Sequence, residues 1–131
     1  MIKYIILFLK GIGLGIANVI PGVSGGTIAL ITNIYEELIN ALKRFDLKAL
    51  KLLFTFKVSE FIKYTNLYFL LSVFLGSIAS IFTVAWIFDY LFIYYPTLIW
   101  GFFFGLILAS IYFVGKRIKS WNKNTIISLI I

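Results

Sequence analysis

Two long apolar stretches, residues 67–92 and 97–114, constrain the fold of this chain more than any other feature. As helices they would be roughly 39 and 27 Å long, and the hydrocarbon core of a bilayer is about 30 Å thick. Only an uncharged turn separates them, so we expect two antiparallel transmembrane helices. The composition agrees, because 62% of the 131 residues are hydrophobic and 13% are charged, which is too apolar for a soluble domain.

Basic residues indicate which side of the membrane each loop occupies. Residues 43–65 hold six Lys or Arg against two acidic residues, a net charge of +4, and four more basic residues lie within 116–123. Such loops normally stay in the cytoplasm, so the overall positive charge indicates topology and not a nucleic-acid partner. Basic and apolar positions alternate at helical steps in residues 43–65. This pattern predicts one or two amphipathic helices in contact with anionic membrane lipids, with a solvated linker as the alternative.

Residues 1–42 contain a break between two shorter apolar segments. Pro21 has no N–H and disfavours helix in the residue before it. Three glycines that tolerate positive φ follow it: Gly22, Gly25 and Gly26. Ser24 is then a good N-cap, and we expect a second half-helix from about Thr27 to residue 42. The segment 18–27, which we call the elbow, should therefore join two half-helices.

The charges place both ends of this hairpin on the same side of the membrane. Lys3 precedes it and the basic residues 43–65 follow it. Residues 1–42 therefore form either a re-entrant hairpin, with the elbow inside the membrane, or a full hairpin with the elbow outside. The short halves and the Pro–Gly break favour the re-entrant form.

The elbow also has the chemistry of an anion site. The backbone N–H groups of Gly25, Gly26 and Thr27 would point into the gap between the half-helices. Together with the hydroxyls of Ser24 and Thr27 they could donate to a phosphate. On these residues alone, a phosphate site and a break that only shapes the fold are equally supported.

A charged pair is predicted between the two halves of the hairpin. Lys10 lies thirteen residues before Val23, and Glu36 lies thirteen after it. In an antiparallel hairpin the two reach the same depth, where an isolated charge is costly. We therefore expect Lys10 to face Glu36, or Glu37 if the register slips. The sequence leaves two roles open for this pair: a purely structural ion pair, or transport of a proton by Glu36.

Enzymatic chemistry is not expected from these residues. The chain has no Cys and no His, which removes thiol nucleophiles, histidine bases and the usual ligands of zinc or haem. Residues 22–26 match G-x-S-x-G, but that nucleophile motif requires a histidine and a preceding strand. The sequence therefore predicts no catalytic residue, no metal and no cofactor.

The run GIGLGIANVIPGVSGGTIALITNIYEELINAL resembles the N-terminal signature of the bacterial and archaeal polyprenyl-phosphate transporter family, and residues 66–111 resemble it in order and spacing. The resemblance implies a multi-pass protein of the cytoplasmic membrane that returns undecaprenyl phosphate, the lipid carrier of cell-wall synthesis, to the cytoplasmic leaflet. The implied substrate-binding residues are Asn18, Pro21, Gly22, Ser24, Gly25, Gly26 and Thr27.

Family members are longer and carry a related motif in their second half. We therefore expect an all-α membrane helix bundle that is one half of an inverted repeat, with a C-terminal half or a second subunit supplying the facing half-site. The apolar residues 125–131 would begin a further helix.

Two other functions stay open. The elbow distantly resembles the PG-x-SRS motif of polyprenyl-pyrophosphate phosphatases, although Gly25 stands where that motif has arginine. A non-catalytic oligomeric scaffold is the other alternative, because residues 11–15 and 101–105 each have the GxxxG spacing that allows helices to approach closely. Release of phosphate from a pyrophosphate lipid would indicate the phosphatase. Absence of polyprenyl-phosphate binding would indicate the scaffold.

Overall fold

The computed structural model describes residues 2–117, and this part of the chain is entirely helical. The helices are α1 (Ile2–Val19), α2 (Gly25–Ile31), α3 (Tyr35–Lys43), α4 (Leu47–Phe54), α5 (Val58–Thr65), α6 (Leu67–Tyr94) and α7 (Pro96–Arg117). Three of them, α1, α6 and α7, are long and apolar enough to cross a membrane. The predicted all-α membrane helix bundle is thus confirmed, while residues 125–131 lie outside the described range.

Helices α1 and α6 run parallel and form the centre of the bundle. Near their N-terminal ends the rings of Tyr4 and Tyr68 meet edge to face, with centroids 6.1 Å apart. Further along both helices, Gly15 packs against Ser80. Since contacts advance in the same direction along both helices, the start of α1 and the start of α6 lie at the same end of the bundle. This is the arrangement that the basic residues predict.

The two helices touch through their backbones. A Cβ atom at Gly11 would collide with the carbonyl of Val73, and one at Gly76 would collide with the carbonyl of Phe8. We call Gly11, Gly15 and Gly76 the glycine seam. Buried residues from several helices extend this contact into a core: Leu7, Ala29, Ile34, Ala41, Phe69, Leu70 and Val73. Because these glycines have no side chain, the backbones of α1 and α6 make direct van der Waals contact along the seam.

Helix α7 is packed much less. It runs antiparallel to α6, with the rings of Phe88 and Phe103 5.1 Å apart and those of Phe92 and Trp100 5.7 Å apart. These contacts lie near the α6–α7 turn. In the described range, nothing lies within 4 Å of a Cβ placed at Gly101 or Gly105. Most of α7 therefore presents an open surface.

The break in the N-terminal hairpin is confirmed. Helix α1 ends at Val19, Gly22 has a φ of 82°, and α2 begins at Gly25. Ser24 takes the predicted N-cap position in an extended conformation, but its side chain makes no capping hydrogen bond. The second half-helix starts two residues earlier than predicted.

The second half of the hairpin is itself divided, so the single helix expected over residues 27–42 is wrong. Helix α2 ends at Ile31 and α3 begins at Tyr35. Asn33 lies in the left-handed region, with φ 56°, and the Ile34 N–H donates to the Ala29 carbonyl at 2.9 Å. This is a Schellman helix end, in which Asn replaces the usual glycine and the following apolar residue returns to the core.

Helices α4 and α5 occupy the basic segment and form a second, smaller hairpin. Asp46 caps α4 by accepting hydrogen bonds from the N–H groups of Lys48 and Ala49, both at 3.0 Å. Asn66, in the left-handed conformation, then joins α5 to α6. The α4–α5 hairpin is therefore fixed to the end of the bundle at which α6 begins.

Candidate functional site

A cleft of about 360 Å³ lies between the elbow and helix α7. Its walls are Pro21, Gly22 and Thr27 from the elbow and Leu106, Ala109, Ser110 and Phe113 from α7. The elbow side exists because the chain turns at a glycine with positive φ instead of continuing as a helix. Three of the sequence-predicted site residues thus line one cleft, and α7 supplies the opposite wall.

The elbow lies level with the middle of α7. A Cβ at Gly22 would be 3.4 Å from both the Leu106 carbonyl oxygen and the Ser110 side chain. These residues follow Pro96 by ten and fourteen positions, which corresponds to roughly 15–21 Å along the helix. The hairpin therefore stops well short of the α6–α7 turn, and this favours the re-entrant form over a hairpin with the elbow outside.

The lining of the cleft combines polar and apolar residues. Thr27 and Ser110 are the residues on it that carry a hydroxyl, and the Ser110 hydroxyl donates to the Ile107 carbonyl at 2.8 Å. Leu106 and Phe113 supply apolar surface beside them. Such a lining fits a ligand with a small polar head and a long apolar chain.

Sequence reasoning missed Ser110. A lone serine in an apolar helix satisfies its hydroxyl on its own backbone, so periodicity alone does not set it apart. The signal that finds it is the close approach of α7 to Gly22.

Two of the three backbone amides expected to face a ligand already have partners. The Gly25 N–H donates to Asn18 Oδ1 at 3.0 Å, and the Thr27 N–H donates to the Ser24 carbonyl at 3.0 Å. The Gly26 N–H has no acceptor among the residues that the structure describes. In this conformation the elbow therefore offers one free amide, together with the hydroxyls of Ser24 and Thr27.

Asn18 holds the two half-helices together across the elbow. Its carboxamide oxygen, at the end of α1, accepts the first N–H of α2. A Cβ at Gly25 would collide with this side chain, whereas one at Gly26 would meet only Ser24 Oγ at 3.4 Å. Gly25 thus leaves room for the Asn18 carboxamide in this position, while Gly26 has space beside it.

The predicted ion pair between Lys10 and Glu36 is wrong. The Lys10 ammonium donates to the Thr32 carbonyl at 2.7 Å. Within residues 2–117, the one ion pair links Lys57 and Glu60. The spacing argument assumed two straight half-helices, but α2 ends near Thr32 and places its last carbonyls beside Lys10. The partially negative C-terminus of a helix attracts a cation, so this carbonyl takes the place expected for the carboxylate.

Glu36 lies in a different cavity from the elbow. A polar cavity of about 360 Å³ is lined by Glu36, Glu37, Asn40, Ala41, Arg44 and Asn66. Within it the Asn66 side-chain amide donates to Glu37 Oε1 at 2.8 Å. The structure therefore does not bring Glu36 together with the residues of the elbow.

Comparison with known proteins points to one family. The family model described as undecaprenyl phosphate translocase-like matches residues 14–131. Over 128 residues the chain is 38% identical to the polyprenyl-phosphate transporter of Vibrio cholerae serotype O1 (strain ATCC 39315 / El Tor Inaba N16961). This match covers 98% of the chain and 42% of that relative, so the chain spans less than half the relative's length. No solved structure matches the chain.

Proposed function

The chain belongs to the undecaprenyl phosphate translocase-like family, and from this we propose that it binds a polyprenyl phosphate and takes part in moving it across the cytoplasmic membrane. The lipid would be undecaprenyl phosphate, returned to the cytoplasmic leaflet for cell-wall synthesis. The protein would transport this lipid without changing it chemically. Since the chain spans 42% of its relative, the site described here would be one half, with the facing half contributed by further sequence or a second subunit.

The cleft between the elbow and α7 is the observation that carries this proposal. Thr27 lines this cleft, with Ser110 on the opposite wall. The Thr27 hydroxyl would donate to the phosphate, together with the Ser24 hydroxyl and the Gly26 N–H from the adjoining part of the elbow, which do not themselves line the cleft. A hydrogen bond to a charged group contributes about 1.5–3 kcal/mol. Three or four such bonds would hold a phosphate monoester at this depth.

The prenyl chain would lie along α7. Leu106 lines the cleft and the Phe113 ring, 66% exposed, continues its apolar surface along the helix. Transfer of a polyprenyl chain out of water is favourable, but its transfer from lipid to an apolar protein surface changes the free energy little. This surface therefore explains how the tail is accommodated, and the phosphate contacts provide the specificity.

Asn18, Pro21, Gly22 and Gly25 would shape the site and not donate to the phosphate. Gly22 permits the turn, and Gly25 leaves room for the Asn18 carboxamide that joins the half-helices. Movement of the lipid would then require the elbow and a facing half-site to open alternately towards each side of the membrane, as broken-helix transporters do.

The test is binding of polyprenyl phosphate to the chain in detergent micelles or nanodiscs, followed by native mass spectrometry. Because each hydroxyl contributes one hydrogen bond to a charged group, Ser24→Ala and Thr27→Val are each expected to weaken binding about tenfold or more. The matched control is Gly101→Ala, which adds a methyl group where nothing lies within 4 Å. It should bind as the unmodified chain does.

A second comparison separates phosphate recognition from tail binding. Polyprenol, which lacks the phosphate, should compete poorly with polyprenyl phosphate for the unmodified chain. If Ser24→Ala and Thr27→Val bind the phosphate lipid with unchanged affinity, or if polyprenol competes equally well, the elbow is not the headgroup site.

A further inference from the structure

The α4–α5 hairpin exposes an apolar surface that the rest of the described chain does not cover. Along one face of α4 and into the following turn, Leu47 is 84% exposed, Leu50 49%, Phe54 79% and Phe56 89%. Helix α4 packs chiefly against α5, and that contact leaves these side chains exposed. Large apolar side chains at such exposures indicate an interaction surface.

Phe56 occupies a backbone position that normally belongs to glycine. Its φ is 54°. Its own N–H donates to the Leu53 carbonyl, and the Lys57 N–H donates to the Leu52 carbonyl, both at 3.0 Å. This is the left-handed residue of a Schellman helix end, where a bulky side chain is disfavoured. The Phe56 ring is nevertheless almost fully exposed, so no packing in the described chain compensates for the strain.

The hairpin that carries this turn is rigidly attached at its base. The Tyr64 hydroxyl donates to Asp46 Oδ2 at 2.7 Å, and the Arg44 guanidinium donates to the Tyr64 carbonyl at 3.2 Å. The rings of Phe45 and Phe61 meet edge to face, with centroids 6.1 Å apart. These contacts at the base fix the direction in which the α4–α5 turn points.

The surroundings of the turn are basic. Residues 43–65 carry a net charge of +4. Lys51 lies three residues before Phe54, and Lys57 directly follows Phe56 and forms an exposed ion pair with Glu60 at 3.1 Å. Asn66 connects this hairpin directly to the start of α6, so the turn lies at the end of the bundle that the positive charges assign to the cytoplasm. Exposed aromatic rings flanked by lysines are typical of a segment that inserts into an anionic lipid surface.

We propose that Phe54 and Phe56, which we call the aromatic tip, insert into the inner leaflet and that Lys51 and Lys57 bind its anionic phospholipid headgroups. The occupant is the phospholipid surface itself and not the transported lipid. Membrane insertion then explains the strained conformation of Phe56. Glycine, the usual residue at such a helix end, has no side chain, whereas phenylalanine places an aromatic ring in the membrane. The proposal does not depend on the proposed transport function.

The test measures the depth of the aromatic tip by spin labelling, which is direct because the chain has no native Cys. Phe56→Cys carries a nitroxide in the full chain reconstituted in phosphatidylglycerol–phosphatidylcholine vesicles. Collisions with oxygen report lipid and collisions with a water-soluble nickel chelate report water. We expect the label at position 56 to be oxygen-accessible and protected from nickel. The matched control, Ser59→Cys on the exposed face of α5, should be accessible to nickel.

The role of the charges is tested by composition and by substitution. In pure phosphatidylcholine vesicles, nickel accessibility at position 56 should rise towards that of position 59. In anionic vesicles, Lys51→Gln and Lys57→Gln should each lower the ratio of inserted to water-exposed tip by about fivefold. If the label at position 56 is as accessible to nickel as that at position 59 in anionic vesicles, the proposal is wrong.

A glycine substitution separates lipid contact from folding. Phe56→Gly removes both the ring and the left-handed strain, so the α4–α5 hairpin should keep its helical content or gain some. A nitroxide at Phe54→Cys should nevertheless become more accessible to nickel in this background. Unchanged depth at position 54 would show that the Phe56 ring does not anchor the tip and would overturn the proposal.

Discussion

Two glycine pairs with the same four-residue spacing have opposite surroundings in this molecule. Gly11 and Gly15 lie against the backbone of α6, where an added Cβ would collide with it. Gly101 and Gly105 on α7 have nothing within 4 Å in the described part of the chain. The GxxxG pattern thus predicts that a close approach is possible, and the partner helix decides whether it occurs.

The partner of the first pair explains the difference. Each helix supplies small residues at the points of closest approach: Gly11 and Gly15 of α1 lie against α6, where Ser77 and Ser80 face Gly15, and Gly76 of α6 lies against the Phe8 carbonyl. Opposite α7, helix α6 presents Phe88 and Phe92, whose rings hold the two helices apart. A close helix pair therefore requires small residues on both surfaces. The following predictions test whether the closed surface and the exposed ones respond differently to substitution.

The largest effect is expected at the glycine seam. In Gly76→Val the new side chain would collide with the Phe8 carbonyl, which cannot move without displacing the whole of α1. Overpacking of this kind costs about 1–3 kcal/mol or more. The obstacle is backbone, so the cost should lie at the upper end of this range. The free energy of unfolding, measured by circular dichroism during denaturation in mixed detergent micelles, should fall by about 3 kcal/mol or more.

The control for this prediction is Gly101→Val, which makes the same chemical change on the open surface of α7. Its unfolding free energy should stay within about 0.5 kcal/mol of the original value. Equal losses in the two variants would mean that α7 has a close partner in the folded state, and the contrast between the two surfaces would be lost.

Much of the fold follows from local sequence. The apolar runs determine α6 and α7 because a helix is the form in which such a run satisfies its backbone in lipid. Pro21 and Gly22 determine the elbow because of their backbone preferences alone. The division between α2 and α3 was missed, since Asn33 adopts a left-handed conformation that the buried position of Ile34 helps to select. Local propensity does not contain that tertiary contact.

The candidate site was only partly predictable for the same reason. The sequence identified Pro21, Gly22 and Thr27, which do line the cleft. It did not identify Ser110, which reaches the cleft through the packing of α7 on the elbow. The sequence also predicted three free backbone amides in the elbow, whereas the Gly25 N–H donates to the Asn18 carboxamide oxygen. Whether a side chain satisfies a backbone group depends on three-dimensional distances that spacing does not give.

An intermediate effect is expected for Lys10, which contacts the closed part of the bundle at one point. Lys10→Met removes a hydrogen bond from an ammonium group to the Thr32 carbonyl, which should lower the unfolding free energy by about 1.5–3 kcal/mol. Glu36→Gln, on an exposed residue, should change it by less than about 0.5 kcal/mol.

The double variant distinguishes the observed contact from the ion pair expected from the sequence. Because Lys10 binds a carbonyl and not Glu36, the two effects should add within about 0.5 kcal/mol. A larger coupling energy would show that the two side chains interact in the membrane after all, and that the carbonyl contact is not the dominant one.

The smallest effect is expected in the exposed α4–α5 hairpin, where a side-chain contact acts on a pKa. The hydrogen bond from the Tyr64 hydroxyl, with those from the Ala49 and Lys48 N–H groups, lowers the pKa of Asp46 below its ordinary value of 3.8. Because this pKa is lower in the folded than in the unfolded chain, ionised Asp46 stabilises the folded hairpin at pH values above the unfolded pKa. This stabilisation is lost as the pH falls through the folded pKa. Tyr64→Phe should therefore raise the pKa of Asp46 towards 3.8, as measured by carboxyl NMR. An unshifted Asp46 would show that the Tyr64 hydroxyl does not hold the base of the hairpin.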